Sequence, residues 1–348
     1  MKAAVLHETN CIRFEEVKKP EIEKNEVLVK VKTTGICGSD HPRVLGEAAH
    51  YYPIILGHEF AGEIVETGSE VKKLKKGDRV AGAPLLPCHE CPACLKGNHA
   101  QCDNYSFIGS REAGSWAEYV KLPAVNAVKL PENVSFLQGA FFEPTTVGLH
   151  ALFMMNFQGG RDVAVLGTGT IGLLALQCAR VLGARKIFAF DVDEERLEVA
   201  GDYGADYCIN TGRKEFKDIV EKETEGRGFP VILECAGVEF TEKLSLELAA
   251  NRGKVMFIGT PSRQITLKPE EFEHINRKEL EVRGSWMSYS PPFPGEEWEL
   301  AGYYFQNGMI QIEKLIDRII PLQQIDQAFK DIDKGEVKGK IILQNTSE

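Results

Sequence analysis

Residues 163–172 constrain this chain more than any other stretch. Val163-Ala164-Val165-Leu166 is a short apolar run. Gly167-Thr168-Gly169-Thr170-Ile171-Gly172 follows it directly and opens an apolar segment of helical character reaching Leu182. Strand, G-x-G-x-x-G and helix in immediate succession are the setting in which this glycine spacing signals a dinucleotide site. The first glycine permits the tight turn, the second lets backbone approach a pyrophosphate, and the third lets helix and strand pack closely. The helix start, with Thr170 and Ile171, then presents unpaired N–H groups to the phosphates. Asp191 ends the next strand, nineteen residues past Gly172. A carboxylate there accepts hydrogen bonds from the ribose hydroxyls and repels a 2′-phosphate, so the predicted cofactor is NAD rather than NADP. Arg196 is expected over the adenine or paired with Asp193.

The grammar on either side differs. From about Gly160 to Gly284, strands expected at 186–190, 231–234 and 254–258 alternate with helical segments such as 194–203, the pattern of βαβ units and a parallel sheet. The first 150 residues instead carry short alternating runs such as Val27-Leu28-Val29-Lys30-Val31, and a turn entering a strand at Lys76-Gly77-Asp78-Arg79-Val80. After Ser290-Pro291-Pro292-Phe293-Pro294 a helix is expected at 325–332 and a strand at 339–343. That tail is too short for a third domain and is expected to fold back onto the first part. A length of 348 residues suits two domains.

Four of the nine cysteines crowd into one loop: Cys88-x2-Cys91-x2-Cys94-x7-Cys102. Four thiolates at this spacing match a closed tetrahedral Zn²⁺ site of the structural kind. The loop has little core of its own, so the metal would supply its folding energy. His89 and His99 lie nearby and are read as surface residues, because four thiolates already satisfy the ion. A disulfide or iron–sulfur cluster fits the same residue types less well.

A second constellation is dispersed: Cys37 and Ser39 in Gly35-Ile36-Cys37-Gly38-Ser39-Asp40, His58 and Glu59 in Gly57-His58-Glu59-Phe60-Ala61-Gly62, and Glu143 in Glu143-Pro144-Thr145-Thr146-Val147-Gly148. Each by itself reads as an ordinary core or polar residue. Together with the cysteine lobe and the glycine fingerprint, in this order and spacing, they make the whole chain resemble the zinc-containing medium-chain alcohol and polyol dehydrogenases. The resemblance implies an α/β fold: a Rossmann doubly wound parallel sheet at 153–290, inserted in a GroES-like irregular β-barrel catalytic domain at 1–152 and 291–348, with the active site in the cleft. It implies two Zn²⁺ per subunit. One is structural and one catalytic, the latter on Cys37, His58 and a carboxylate. Glu143 fits the polyol branch, and Glu59 binds directly or displaces water transiently; the order of the two is left open. Ser39 is implied to bond the substrate oxygen and start a proton relay. Many relatives continue that relay with a histidine five residues after the cysteine; here Pro42 stands there and His41 comes one residue early.

The chemistry requires such a site. Hydride leaves carbon once the hydroxyl proton is gone, and a redox-inert cation with an open position eases that loss. Stretches such as Ala49-His50-Tyr51-Tyr52-Pro53-Ile54, Phe107-Ile108-Gly109-Ser110-Arg111 and Gly284-Ser285-Trp286-Met287 resemble the polyol-phosphate enzymes of the family. The implied substrate is a sugar-alcohol phosphate, with free polyols and threonine as alternatives. Arg43, then Arg111, Arg277 and Lys278, are the candidate phosphate cations; His50, Tyr51, Trp286 and Tyr289 line the pocket or simply pack. A zinc-free NADPH-dependent quinone-reductase-like protein and a non-catalytic relative are disfavoured by the cysteine lobe, His58-Glu59 and Asp191. A net charge of −10 argues against nucleic-acid or anionic-membrane partners. The start MKAAVLHETN lacks a basic region before an apolar run, and no apolar run is long enough to span a bilayer, so the expected location is cytoplasmic. Glu281-Val282-Arg283-Gly284 lies near the sheet edge through which family members pair, implying a homodimer or a tetramer.

Overall fold

A computed structural model describes residues 1–345. The chain divides into two compact units. One comprises Met1–Glu143, Tyr289–Gly308 and the chain from Ile312; the other comprises Pro144–Ser288 with Met309–Gln311.

The second unit is built on a six-stranded, all-parallel sheet in the order Tyr207–Asn210, Ile187–Asp191, Val163–Leu166, Phe229–Glu234, Ala249–Phe257, Glu281–Gly284. Every residue of Val163–Leu166 is buried, as a parallel strand covered on both faces requires. The helix Thr170–Val181 buries Gly172 through Ala179. Gly183 ends it in a left-handed conformation, φ +88°, that a side chain would disfavour. Phe188 and Phe229 meet with ring centroids 4.8 Å apart in a core that also takes in Leu166, Phe190, Ile232, Leu244 and Val255. Successive connections wind to opposite sides of Val163–Leu166. The topological switch point therefore lies between it and Phe229–Glu234, at the carboxyl end of the glycine-fingerprint strand.

The first unit holds a seven-stranded sheet whose hub is Glu26–Gly35. Its amino half pairs with Tyr119–Pro123, its carboxyl half with Lys340–Gln344, and its other edge with Glu59–Thr67. Arg79–Gly82 and Ala127–Lys129 continue beyond Glu59–Thr67, and Ile316–Pro321 lies beyond Lys340–Gln344. The returning tail thus supplies two strands of this sheet, and the helix Ile325–Asp333 packs its Ile325, Ala328 and Phe329 into the core with Trp116 and Leu56. The long strand Ala249–Phe257 begins five residues before the expected one, carried through Arg252 at φ +58° with a register shift. Among the described residues no helix is long and apolar enough to cross a membrane.

Candidate active site and metal centres

Strand pairing assembles the dispersed constellation. Glu26–Gly35 ends beside the start of Glu59–Thr67, with Gly35 opposite Glu59. A Cβ on Gly35 would collide with Glu59 Oε2, so the glycine makes room for a buried carboxylate. Two residues on, Cys37 caps a single 3₁₀ turn, Gly38–Asp40: its Sγ accepts from Ser39 N at 3.5 Å, and Asp40 Oδ2 accepts from Cys37 N at 3.0 Å. His58 enters through Gly57, φ +92°, where any side chain would meet the Trp116 ring. Ligand atoms of Cys37, His58 and Glu59 consequently lie within 4.8 Å of one another.

The electrostatics are those of a crowded anionic pocket. His58 Nδ1 faces the buried Asp40 at 3.7 Å, and neither Nδ1 nor Asp40 Oδ1 has a hydrogen-bond partner. Burial opposes charge on His58, but Asp40 and Cys37 outweigh it and raise the imidazole to about 10. Glu143, near the start of the helix Phe142–Met154, is pushed up to about 7 by desolvation and by Glu59, against the pull of His58 and Lys340. Lys340 opens the strand Lys340–Gln344 and donates to both Glu59 oxygens at 2.7 and 2.6 Å and to Ile36 O at 3.3 Å. Burial works against its charge, and the neighbouring anions Glu59 and Cys37 raise its pKa nonetheless. Sequence reasoning missed Lys340. The available signal was a lone cation heading an otherwise apolar run, Lys340-Ile341-Ile342-Leu343.

Ser39 is exposed, with its Oγ 3.4 Å from Cys37 Sγ. Arg43 Nη1 donates to Ser39 O at 2.6 Å and to Ser39 Oγ at 3.0 Å, and lies 3.6 Å from Asp40 Oδ1. The His41 ring is set edge-on to Phe329, with centroids 6.2 Å apart. Tyr51 is exposed and donates to Arg111 O at 3.3 Å, while the Arg111 guanidinium lies over the Tyr105 ring at 4.6 Å. His50 is held below the usual histidine range by burial and by the charges of Arg111 and Arg43. Two sequence candidates, Arg277 and Lys278, fall elsewhere, while Tyr289 is within electrostatic reach of Glu143. Tyr289 is buried, takes a hydrogen bond from Leu85 N at 2.9 Å and stacks on Phe293. Arg277 pairs with Glu273 at 2.7 Å. Lys278 Nζ caps the carbonyls of Leu246, Glu247 and Ala249 at the end of the helix Glu239–Leu248. Trp286, in the second unit, is 53% exposed.

The cysteine loop closes on itself. Its four Sγ atoms lie within 4.8 Å of one another. Cys88 Sγ is 3.4 Å from Cys102 Sγ and 4.0 Å from Cys94 Sγ, close to the ~3.8 Å edge of a tetrahedron of sulfurs about Zn²⁺. Backbone N–H groups of Cys88, Cys91 and Cys94 point at Sγ of Cys102, Cys88 and Cys91. N–H donors from Cys94 and Asp103 bring the Cys91 thiol down to about 6, whereas burial drives Cys94 up to about 12. Four thiolates ionise together there only around a cation. His99 departs from its expected surface position: it is buried, edge-on to Phe293 at 5.2 Å, with exposed His89 at 5.6 Å.

In the second unit Gly167 adopts φ +90°, and a Cβ on Gly172 would strike Gly167 O, so strand and helix meet at backbone distance. Gly169 is the N-cap of Thr170–Val181 and has no side-chain cap; a Cβ there would meet nothing within 4 Å. The helix N-terminus thus faces open space with its amides uncapped, which fits a bound pyrophosphate. Asp191 Oδ2 accepts from Thr168 N and Oγ1 at 2.7 and 2.9 Å, and Oδ1 from Val192 N and Asp193 N at 2.8 and 3.1 Å. Arg196 Nε stands 4.0 Å from Asp193 Oδ2. Thr168 was not singled out in the sequence; it ties the glycine turn to the acid.

Residues 23–132 match the alcohol dehydrogenase GroES-like domain family, and residues 170–301 the zinc-binding dehydrogenase family. The chain is 42% identical over 344 residues to galactitol 1-phosphate 5-dehydrogenase of Escherichia coli K12, covering 99% of each. The crystal structure of galactitol-1-phosphate dehydrogenase from Escherichia coli superposes with TM-score 0.95 at 42% identity, over 99% of this chain and all of that one. A Sinorhizobium meliloti protein described as a zinc-binding dehydrogenase, solved with NADP bound, superposes with TM-score 0.89 at 32% identity, over 99% and 98%.

Two outcomes follow from these geometries. Cys94→Ser should remove one equivalent of zinc per chain by elemental analysis and lower Tm by about 10 °C or more; an unchanged zinc content would show that the lobe holds no metal. Lys340→Met should cost roughly 3–5 kcal/mol in chemical denaturation, the penalty for leaving a buried carboxylate unpaired. A cost under about 1 kcal/mol would mean that Glu59 is not held there as an anion.

Proposed function

We propose, from the premise that the chain belongs to the zinc-binding alcohol dehydrogenase family with a GroES-like domain, that it oxidises a secondary hydroxyl of a sugar-alcohol phosphate with NAD, converting galactitol 1-phosphate to tagatose 6-phosphate. The observation that carries the reading is the convergence of Cys37, His58 and Glu59 on one buried point in a chain 42% identical, end to end, to a galactitol 1-phosphate 5-dehydrogenase.

Cys37, His58 and a carboxylate from Glu59 or Glu143 would hold a Zn²⁺ ion, which would supply Lewis acidity that makes an alcohol hydroxyl easier to deprotonate. The chain's own residues do the rest. Asp40 orients the His58 ring from the Nδ1 side, as carboxylates beside ligating histidines do. Lys340 fixes Glu59 and offsets part of the pocket's negative charge. Ser39, exposed beside Cys37, hydrogen-bonds the reacting oxygen. Arg111, with Arg43 and His50 nearby, provides the positive field for the substrate phosphate. A second zinc would be held by Cys88, Cys91, Cys94 and Cys102 and would take no part in the chemistry.

Asp191 supports NAD over NADP, since its negative charge at the ribose end disfavours a 2′-phosphate. The unit edge at Glu281–Gly284, three of whose four residues are exposed, supports pairing with a second copy in a cytoplasmic homodimer.

NADH formation with galactitol 1-phosphate, galactitol, sorbitol and threonine side by side tests the substrate. The phosphate ester should lead in kcat/KM by roughly 10³; equal turnover of a free polyol would remove the phosphate from the reading and leave a free-polyol dehydrogenase. Asp191→Asn keeps the shape of the turn and discards the charge. It should narrow the preference for NAD over NADP about tenfold or more, measured as the ratio of kcat/KM values, and an unchanged ratio would place cofactor choice elsewhere.

A further inference from the structure

We propose that Arg43 is a positioning residue: it locks Ser39 as a hydrogen-bond donor to the substrate oxygen, and it stands where a side-chain proton relay would otherwise leave the site. This rests on the reading above only in placing the reacting hydroxyl beside Cys37 and His58.

A serine hydroxyl has one hydrogen to give and two lone pairs to receive with. One lone pair of Ser39 Oγ is taken by Arg43 Nη1 at 3.0 Å, and the same nitrogen holds the Ser39 carbonyl at 2.6 Å. A guanidinium offers only hydrogens, so the Ser39 hydrogen cannot point toward Arg43. It is given instead to Cys37 Sγ, 3.4 Å away, and an alcohol oxygen held next to Cys37 and His58 would take it over from that sulfur. Arg43 is itself anchored. Its side chain is 20% exposed and stands 3.6 Å from the fully buried Asp40. Asp40 therefore faces both His58 and, through Arg43, the serine that meets the substrate.

The same contact bears on where the proton goes. The reaction converts a secondary alcohol and NAD⁺ to a ketone, NADH and one proton. A relay through Ser39 needs an acceptor on its far side, and arginine cannot take a proton. Pro42 carries no acceptor in its side chain, and the His41 ring is turned onto Phe329. Ser39 is exposed, so water is the acceptor left to it, and the proton passes to solvent there without a further side chain.

The test is a double-mutant cycle with Ser39→Ala and Arg43→Met, run on whichever alcohol the wild type oxidises, so that loss of the phosphate reading leaves it interpretable. Each single variant should lose roughly 10- to 100-fold in kcat, the size of a charge-assisted hydrogen bond, with KM for the cofactor unchanged. The double variant should lose no more than the worse single one. Millimolar guanidinium should restore Arg43→Met several-fold when Ser39 is present and not when it is Ala. Additive losses, or an Arg43→Met effect confined to KM for the alcohol, would overturn the proposal and make Arg43 a substrate contact alone. Should Arg43→Met fold poorly over Asp40, Arg43→Lys keeps the positive charge and removes the two-point grip. It should recover Tm but not kcat, and full kcat in Arg43→Lys would also overturn the proposal.

Discussion

A buried ion pair, Lys340 with Glu59, governs the first unit. Both side chains are almost wholly out of water, and such a pair persists only when geometry and further hydrogen bonds offset the desolvation of each ion. Here they do: Nζ reaches both carboxylate oxygens and the Ile36 carbonyl. The pairing depends on three strands standing side by side, because Gly35 makes room for Glu59 and Lys340–Gln344 must run beside Glu26–Gly35. Cys37 and His58 are placed by the ends of those same strands. The sheet register and the metal-ligand geometry are one constraint seen from two sides.

The two candidate cation sites use different physics. The cysteine loop is local, closed and saturated: four sulfurs from fifteen consecutive residues, with backbone N–H groups turned inward on them. The other site draws donors from separate strands and surrounds them with excess negative charge that Lys340 partly balances. A closed set of thiolates stabilises a fold. An unsaturated set leaves a position at which an oxygen ligand exchanges.

This difference explains what was legible in the sequence. Everything local could be read: the glycine turn with its flanking strand and helix, the cysteine spacing, and Val27–Val31 as part of the hub strand. Cys37, His58 and Glu143 carry no local signal and enter as candidates only through resemblance of the whole chain; the structure gathers Cys37 and His58 with Glu59. Lys340 and Thr168 escaped because each acts on a partner far along the chain, Glu59 in one case and Asp191 in the other. His99 was misplaced for the same reason, since the ring that buries it, Phe293, belongs to a segment almost two hundred residues later. Lys278 is a candidate phosphate cation by residue type, but the structure commits it to capping a helix end; Tyr289, open between pocket lining and packing in the sequence, is buried with its hydroxyl on Leu85 N.

The division of the first unit between both flanks of the second also has a consequence for the chain as it is made. Lys340 follows Glu59 by 281 residues. At about 5–20 residues per second, a ribosome exposes Glu59 roughly a quarter-minute to a minute before its partner exists. Throughout that interval the carboxylate must stay in water, so the strand carrying it cannot settle into its final burial. The second unit, nearly continuous in sequence, is free to form first. The nascent protein therefore gains its parallel-sheet unit before it gains the pocket that gathers Cys37, His58 and Glu59.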